Sequence, residues 1–142
     1  MQIPIYQVDA FTDRVFAGNP AAVCPLESWL PDGTLQAIAA ENNLAETAFF
    51  VPAEGGYELR WFTPTVEIDL CGHATLATAC VIMTLLDPGR ERVSFQTRRA
   101  GKLTVAREGD RFTLDFPARP PVASEGHPDL VVRHGARDRD RA

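Results

Sequence analysis

The chain has 142 residues, 45% of them hydrophobic, with 19 acidic and 14 basic residues and a formal net charge of -5 at pH 7. That length suits a single domain that buries its own core without a disulfide or metal staple. The acidic balance gives no support to nucleic-acid binding, and no basic leader runs into an apolar stretch as a signal peptide would, so the default expectation is a cytoplasmic protein.

Residues 3–11 alternate roughly and read as a strand, with Pro4 marking a sheet edge or a strand beginning. Gly18-Asn19-Pro20 is a turn signal that leads into a short apolar strand over residues 21–24, closed by Pro25. The spacing of Leu35, Ile38 and Ala39 predicts an amphipathic helix ending near Glu41-Asn42-Asn43. Residues 47–51, aromatic and β-branched, read as a strand, joined through Gly55-Gly56 to a partner strand over residues 57–62. Val66, Ile68 and Leu70 alternate with Glu67 and Asp69 and predict a further strand with one buried face.

From Ala74 to Leu86 apolar residues surround the whole helical circumference. A helix of that kind is buried on all sides, which in a small domain calls for strands curled around it. The run is too short to span a bilayer, and Asp87-Pro88-Gly89 stops it. Strands over residues 93–97, 102–106 and 112–116, separated by Gly101 and Gly109-Asp110, predict an antiparallel meander. Past Phe116, prolines and an arginine-rich end lack a periodic apolar face and read as a disordered tail. The expected fold is α+β, a barrel-like, mainly antiparallel sheet wrapped around a central buried helix.

The chemistry-bearing stretch is Asp69-Leu70-Cys71-Gly72-His73-Ala74-Thr75, at the junction of a strand pattern and the buried helix. Exposed N–H groups at the helix start can hold a carboxylate, and Gly72 lets the backbone approach it closely. His73 reads either as a proton carrier facing a substrate or as a structural histidine. Cys71 reads either as an acid–base thiol or as a small buried hydrophobe. Asp69 could orient His73 or cap the helix, and Asn19 could face a ligand or simply form its turn. Glu46, alone among apolar neighbours in Leu44-Ala45-Glu46-Thr47-Ala48-Phe49, is either a solvent-facing carboxylate or a general base. Desolvation would favour its protonated form and suit one carboxyl to both take and return a proton.

Asp69, Cys71 and His73 sit two residues apart, yet a structural zinc site usually needs four protein ligands, so no metal is expected. Neither a Gly-x-Gly-x-x-Gly fingerprint nor a phosphate-loop lysine is present, so no nucleotide cofactor is expected either. Cys24, Cys71 and Cys80 form an odd, widely spaced set with no C-x-x-C pair, which fits free thiols better than a disulfide framework.

These residues carry a resemblance. Val8-Asp9-Ala10-Phe11-Thr12, Phe16-Ala17-Gly18-Asn19-Pro20-Ala21-Ala22-Val23, residues 40–49, Trp61-Phe62-Thr63-Pro64 and residues 69–75 follow in the order and spacing of the PhzF-like family, named for phenazine biosynthesis. The resemblance implies a diaminopimelate epimerase-like fold, in which two similar domains each wrap a sheet around a central helix and the active site lies between them. It implies Glu46 as catalytic glutamate and His73 as active-site histidine, with Gly72 lining the same cleft. Cys71 stands where related epimerases and racemases carry an acid–base cysteine. The implied activity is cofactor-independent proton transfer on a small-molecule substrate.

Residues 1–120 are expected to form the N-terminal domain of that family, with residues 121–142 a tail outside it and the second domain missing. That absence predicts little activity from this chain by itself, unless a homodimer rebuilds the second wall. A non-catalytic binding module and a Cys71-dependent epimerase are the alternatives.

Overall fold

The computed structural model describes residues 2–10, 19–109 and 111–115. The predicted tail, the residues just before Asn19 and the Asn19 side chain lie outside the described residues. Among the described residues, eight strands and two α-helices follow in the order β1 (Tyr6–Ala10), β2 (Asn19–Pro25), α1 (Asp32–Asn42), β3 (Glu46–Ala53), β4 (Gly56–Phe62), β5 (Glu67–Ile68), α2 (Gly72–Val81), β6 (Arg92–Gln96), β7 (Lys102–Glu108) and β8 (Arg111–Asp115). A π-helical turn, Ile82–Leu86, continues α2. Among the described residues no helix is long and apolar enough to cross a membrane.

The strands form one sheet in the order β1-β2-β3-β4-β6-β7-β8, with β5 paired to β4 beside that path. It is mixed: β2–β3 and β4–β6 run parallel, while the other pairings, including the β6–β7–β8 meander, are antiparallel. Seven strands in a row span about 29 Å at the usual inter-strand spacing. Yet α2, a cylinder about 10–12 Å wide, touches β1, β2 and β3 toward one edge and β8 at the other. A sheet that meets one helix with both edges must curl, and this one forms a half-barrel around α2.

Alternation along the strands divides the core into two layers. Val23, Ala48, Phe50, Leu59 and Trp61 point inward to α2. Cys24, Phe49, Val51 and Phe62 point outward, where α1 covers them with Leu35 and Ala39. Strands β2 and β3 are therefore apolar on both faces, and β4 adds Phe62 to the outer layer. Helix α1 stops where Asn43 turns left-handed (φ 54°) and its N–H donates to the Ala39 carbonyl.

One charge sits within the outer layer. Arg60 alternates with Leu59 and Trp61, and its side chain is only 7% exposed. It donates two hydrogen bonds of 2.8 Å to Glu67 and one of 3.0 Å to Asp32, in the first turn of α1. Its guanidinium lies over the Trp29 and Phe62 rings. Hydrogen bonding to Glu67 raises the guanidinium's pKa, burial opposes the rise and Asp32 adds to it.

The strand predicted around Val66, Ile68 and Leu70 is shorter than its alternation suggests. Thr63 Oγ1 accepts from the N–H groups of Thr65 and Val66, closing a local turn that leaves Val66 53% exposed and only Glu67–Ile68 paired. The end of the buried helix also differs. Residues 74–83 are buried, but Leu85 and Leu86 emerge where the backbone widens into the π-helical turn.

The threonines of α2 survive burial because each hydroxyl has a carbonyl one turn back. Thr75 Oγ1 donates to the Cys71 carbonyl at 2.7 Å and Thr78 Oγ1 to that of Ala74 at 2.8 Å. Trp61 Nε1 donates to Thr75 Oγ1 at 3.1 Å, tying the helix start to β4.

Two outcomes are expected. Thr75→Val keeps the side-chain shape but leaves the buried Trp61 N–H without its acceptor, so stability should fall by about 1–3 kcal/mol, read as a lower urea midpoint. Gly56 begins β4 beside the short β4–β6 pairing, and a Cβ there would collide with the Ser94 backbone carbonyl. Gly56→Ala should cost about 1–3 kcal/mol. An unchanged urea midpoint would show that β6 moves aside freely.

Candidate active site

Three elements bring the site together. Asn43 turns the chain out of α1, and Asn42 Nδ2 donates to Thr47 Oγ1 at 3.2 Å, which sets the start of β3. Glu46 is the first residue of that strand, in parallel register with Ala21 of β2. On the other side, Cys71 is extended (φ -144°, ψ 107°) and stands at the cap position of α2, so that Gly72, His73 and Ala74 form its first turn. Their N–H groups precede the first intrahelical bond, from Thr75 N–H to the Cys71 carbonyl at 3.1 Å.

Glu46 and His73 meet at this junction. His73 Nε2 lies 2.7 Å from Glu46 Oε1, with the two side chains 15% and 16% exposed. The contact has the distance of an ion pair but not the alignment of a hydrogen bond, since the buried Oε1 accepts no aligned donor. Cys71 Sγ lies 3.5 Å from His73 Nδ1 and 4.0 Å from Nε2. A carboxylate, an imidazole and a thiol thus share one recess.

Burial pushes the Cys71 thiol up to about 12, and the charge of Glu46 adds to the rise. The backbone N–H groups of Ala74 and His73 pull the other way without overcoming burial. Cys71 is therefore a protonated thiol near neutral pH. Cys24 is likewise raised to about 12 by burial, within the outer core layer.

Asp69 stands apart from this group. Its side chain is 73% exposed and pairs with Arg99 at 3.5 Å, while the cap position of α2 belongs to Cys71. It lines a cavity of about 170 Å³ with Arg60, Glu67, Ile68, Arg98 and Arg99. The charged groups there already pair with one another, Arg60 and Arg98 with Glu67 and Arg99 with Asp69. The backbone of Asn19 stands opposite Ala10 in the β1–β2 pairing. Thr75 and Trp61, which hold the Cys71 carbonyl in place, were not singled out from sequence as site residues. The available signal was a threonine one turn into a fully apolar helix.

A family described as phenazine biosynthesis-like protein matches residues 8–130. The chain is 61% identical over 121 residues to an uncharacterized isomerase of Pseudomonas aeruginosa, a match covering 85% of this chain and 46% of the relative. It is 47% identical over 133 residues to an uncharacterized isomerase of Halalkalibacterium halodurans, covering 93% and 50% of the two chains. Among solved structures, a PhzF-family phenazine biosynthesis protein from Enterococcus faecalis superposes with a TM-score of 0.77 at 49% identity, over 88% of this chain and 49% of that one. The chain spans about half the length of these relatives. With the family match running through most of its length, the chain belongs to the phenazine biosynthesis-like (PhzF) family.

Proposed function

We propose that this chain carries proton-transfer groups of a cofactor-independent isomerase acting on a small carboxylate-bearing substrate. The observation that carries the reading is the approach of Glu46 Oε1 to His73 Nε2 at 2.7 Å, in a recess at the start of a buried helix. The naming of two close relatives as isomerases supports it. The first-turn N–H groups of α2 would hold the substrate carboxylate. Glu46 would take a proton from a substrate carbon and return it to another, so that the net reaction moves one hydrogen. His73 would hydrogen-bond the developing charge and keep Glu46 oriented.

Water exclusion would sharpen this chemistry. A second wall of protein, from a further domain or from a second copy of the chain, would supply it, and turnover by the 142-residue chain alone is expected to be slow.

The test is deuterium incorporation from D2O into a panel of cyclic unsaturated carboxylates and α-amino acids, followed by proton NMR. Exchange should fall by about 10²–10⁴-fold in Glu46→Gln and persist in Cys71→Ser. The reverse pattern would move the chemistry to the thiol. Saturable carboxylate binding without exchange would make the chain a binding module.

The raised Cys71 thiol provides an independent check on the choice between Glu46 and Cys71. A thiol titrating near 12 gains thiolate about tenfold per pH unit throughout the range below that value. Peptide-resolved alkylation of native Cys71 should therefore keep climbing from pH 7 to beyond about 10, whereas the unfolded chain levels off about one unit above its ordinary value of about 8.5. A native plateau below pH 8 would mark a thiolate ready for catalysis and would favour Cys71 as the base.

A further inference from the structure

We infer that Glu46, Cys71 and His73 form a capture site for Zn²⁺, with three protein ligands and a fourth position open to water. Their ligand atoms all lie within 4.8 Å of one another. A tetrahedral zinc ion with bonds of 2.0–2.3 Å spaces its ligand atoms about 3.3–3.6 Å apart. With Nε2 as the single ligand atom of His73, the separations are 2.7 Å to Oε1 and 4.0 Å to Cys71 Sγ, which bracket that spacing. Small side-chain rotations therefore suffice to close the polyhedron.

The Glu46–His73 contact gives a second reason. Oε1 is buried and accepts no aligned hydrogen bond, although Nε2 is only 2.7 Å away. A carboxylate oxygen that accepts no hydrogen bond yet lies this close to an imidazole nitrogen is placed as a neighbouring ligand of a shared centre is. The donor set is also selective. Thiolate and imidazole suit zinc, whereas magnesium and calcium take oxygen ligands. Two of the ligands are set by the start of α2 and the third by the start of β3, so the framework stands before any ion arrives. Asp69, the third ligand that sequence spacing would nominate, faces outward to Arg99. Coordination would release the thiol proton to solvent and occupy both groups of the proposed proton transfer, making the ion an inhibitor of that reaction.

The inference rests on side-chain geometry and not on the proton-transfer reading. Its test uses the reduced 142-residue chain without substrate, titrated with Zn²⁺ in competition with a chromophoric chelator. A parallel Co²⁺ titration is read by its thiolate-to-metal charge-transfer band. One Zn²⁺ should bind per chain. Glu46→Gln and His73→Gln should each weaken binding by more than about 10–100-fold, the loss that follows removal of a group merely hydrogen-bonded to a ligand, and Cys71→Ser should do the same while abolishing the cobalt band. The double variant His127→Gln/His134→Gln removes the remaining histidines and should bind as the parent does. Circular dichroism of the metal-free variants separates lost ligands from lost fold. If Cys71→Ser fails to fold, His73→Gln and Glu46→Gln decide the outcome. No saturable binding, undiminished binding in a folded Cys71→Ser, or loss of binding in the tail variant would overturn the inference. Either metal result leaves the deuterium-exchange test of the enzyme reading intact.

Discussion

Between Ala74 and Val81 helix α2 has no side facing solvent, so every polar group it carries must find its partner inside the protein. Thr75 and Thr78 meet that demand with carbonyls of their own helix. The Trp61 indole then donates to Thr75, and through it the helix start is tied to the middle of the sheet. The Cys71–His73 turn inherits its position from this arrangement. Were the helix only half enclosed, its first turn could fray, and the recess would lose the wall that carries the thiol and the imidazole.

Enclosure also dictates the sheet. Both edges have to reach the same helix, so the strands curl and the two parallel junctions, β2–β3 and β4–β6, replace hairpins where the chain crosses over. The outer face of the middle strands cannot be left bare, because Phe49, Val51 and Phe62 project from it. Helix α1 covers it, and Arg60 joins α1, β4 and β5 through Asp32 and Glu67. An ion pair buried in this way need not add net stability, since desolvation offsets the attraction. What it does supply is connection: one guanidinium fork bonds two elements and rests on two aromatic rings.

The recess concentrates three groups of different character. The thiol is kept protonated by burial and by the nearby Glu46 charge. The same closeness makes a set of ligands for a borderline metal. The proton transfer and the metal capture proposed above would draw on the same atoms.

Much of this architecture was legible in the sequence because its signals are local. The aromatic and β-branched run of β3, the strands β6, β7 and β8 between their glycine turns and the all-round apolar helix each depend on a few neighbouring residues, and these elements are observed. Glu46 and His73 stood out through their immediate contexts and through the family resemblance. Tertiary structure alone decided the contacts between distant parts of the chain. Glu46 reaches the start of α2 because β3 pairs in parallel with β2 and both lie against that helix. Asp69 faces away from the recess, into solvent, where it pairs with Arg99 from the turn between β6 and β7. Strand β5 is short because Thr63 captures its leading N–H groups, and Arg60 is buried because two acids and two rings from separate elements surround it. Periodicity states which face of an element is apolar; only packing states which other element that face will meet.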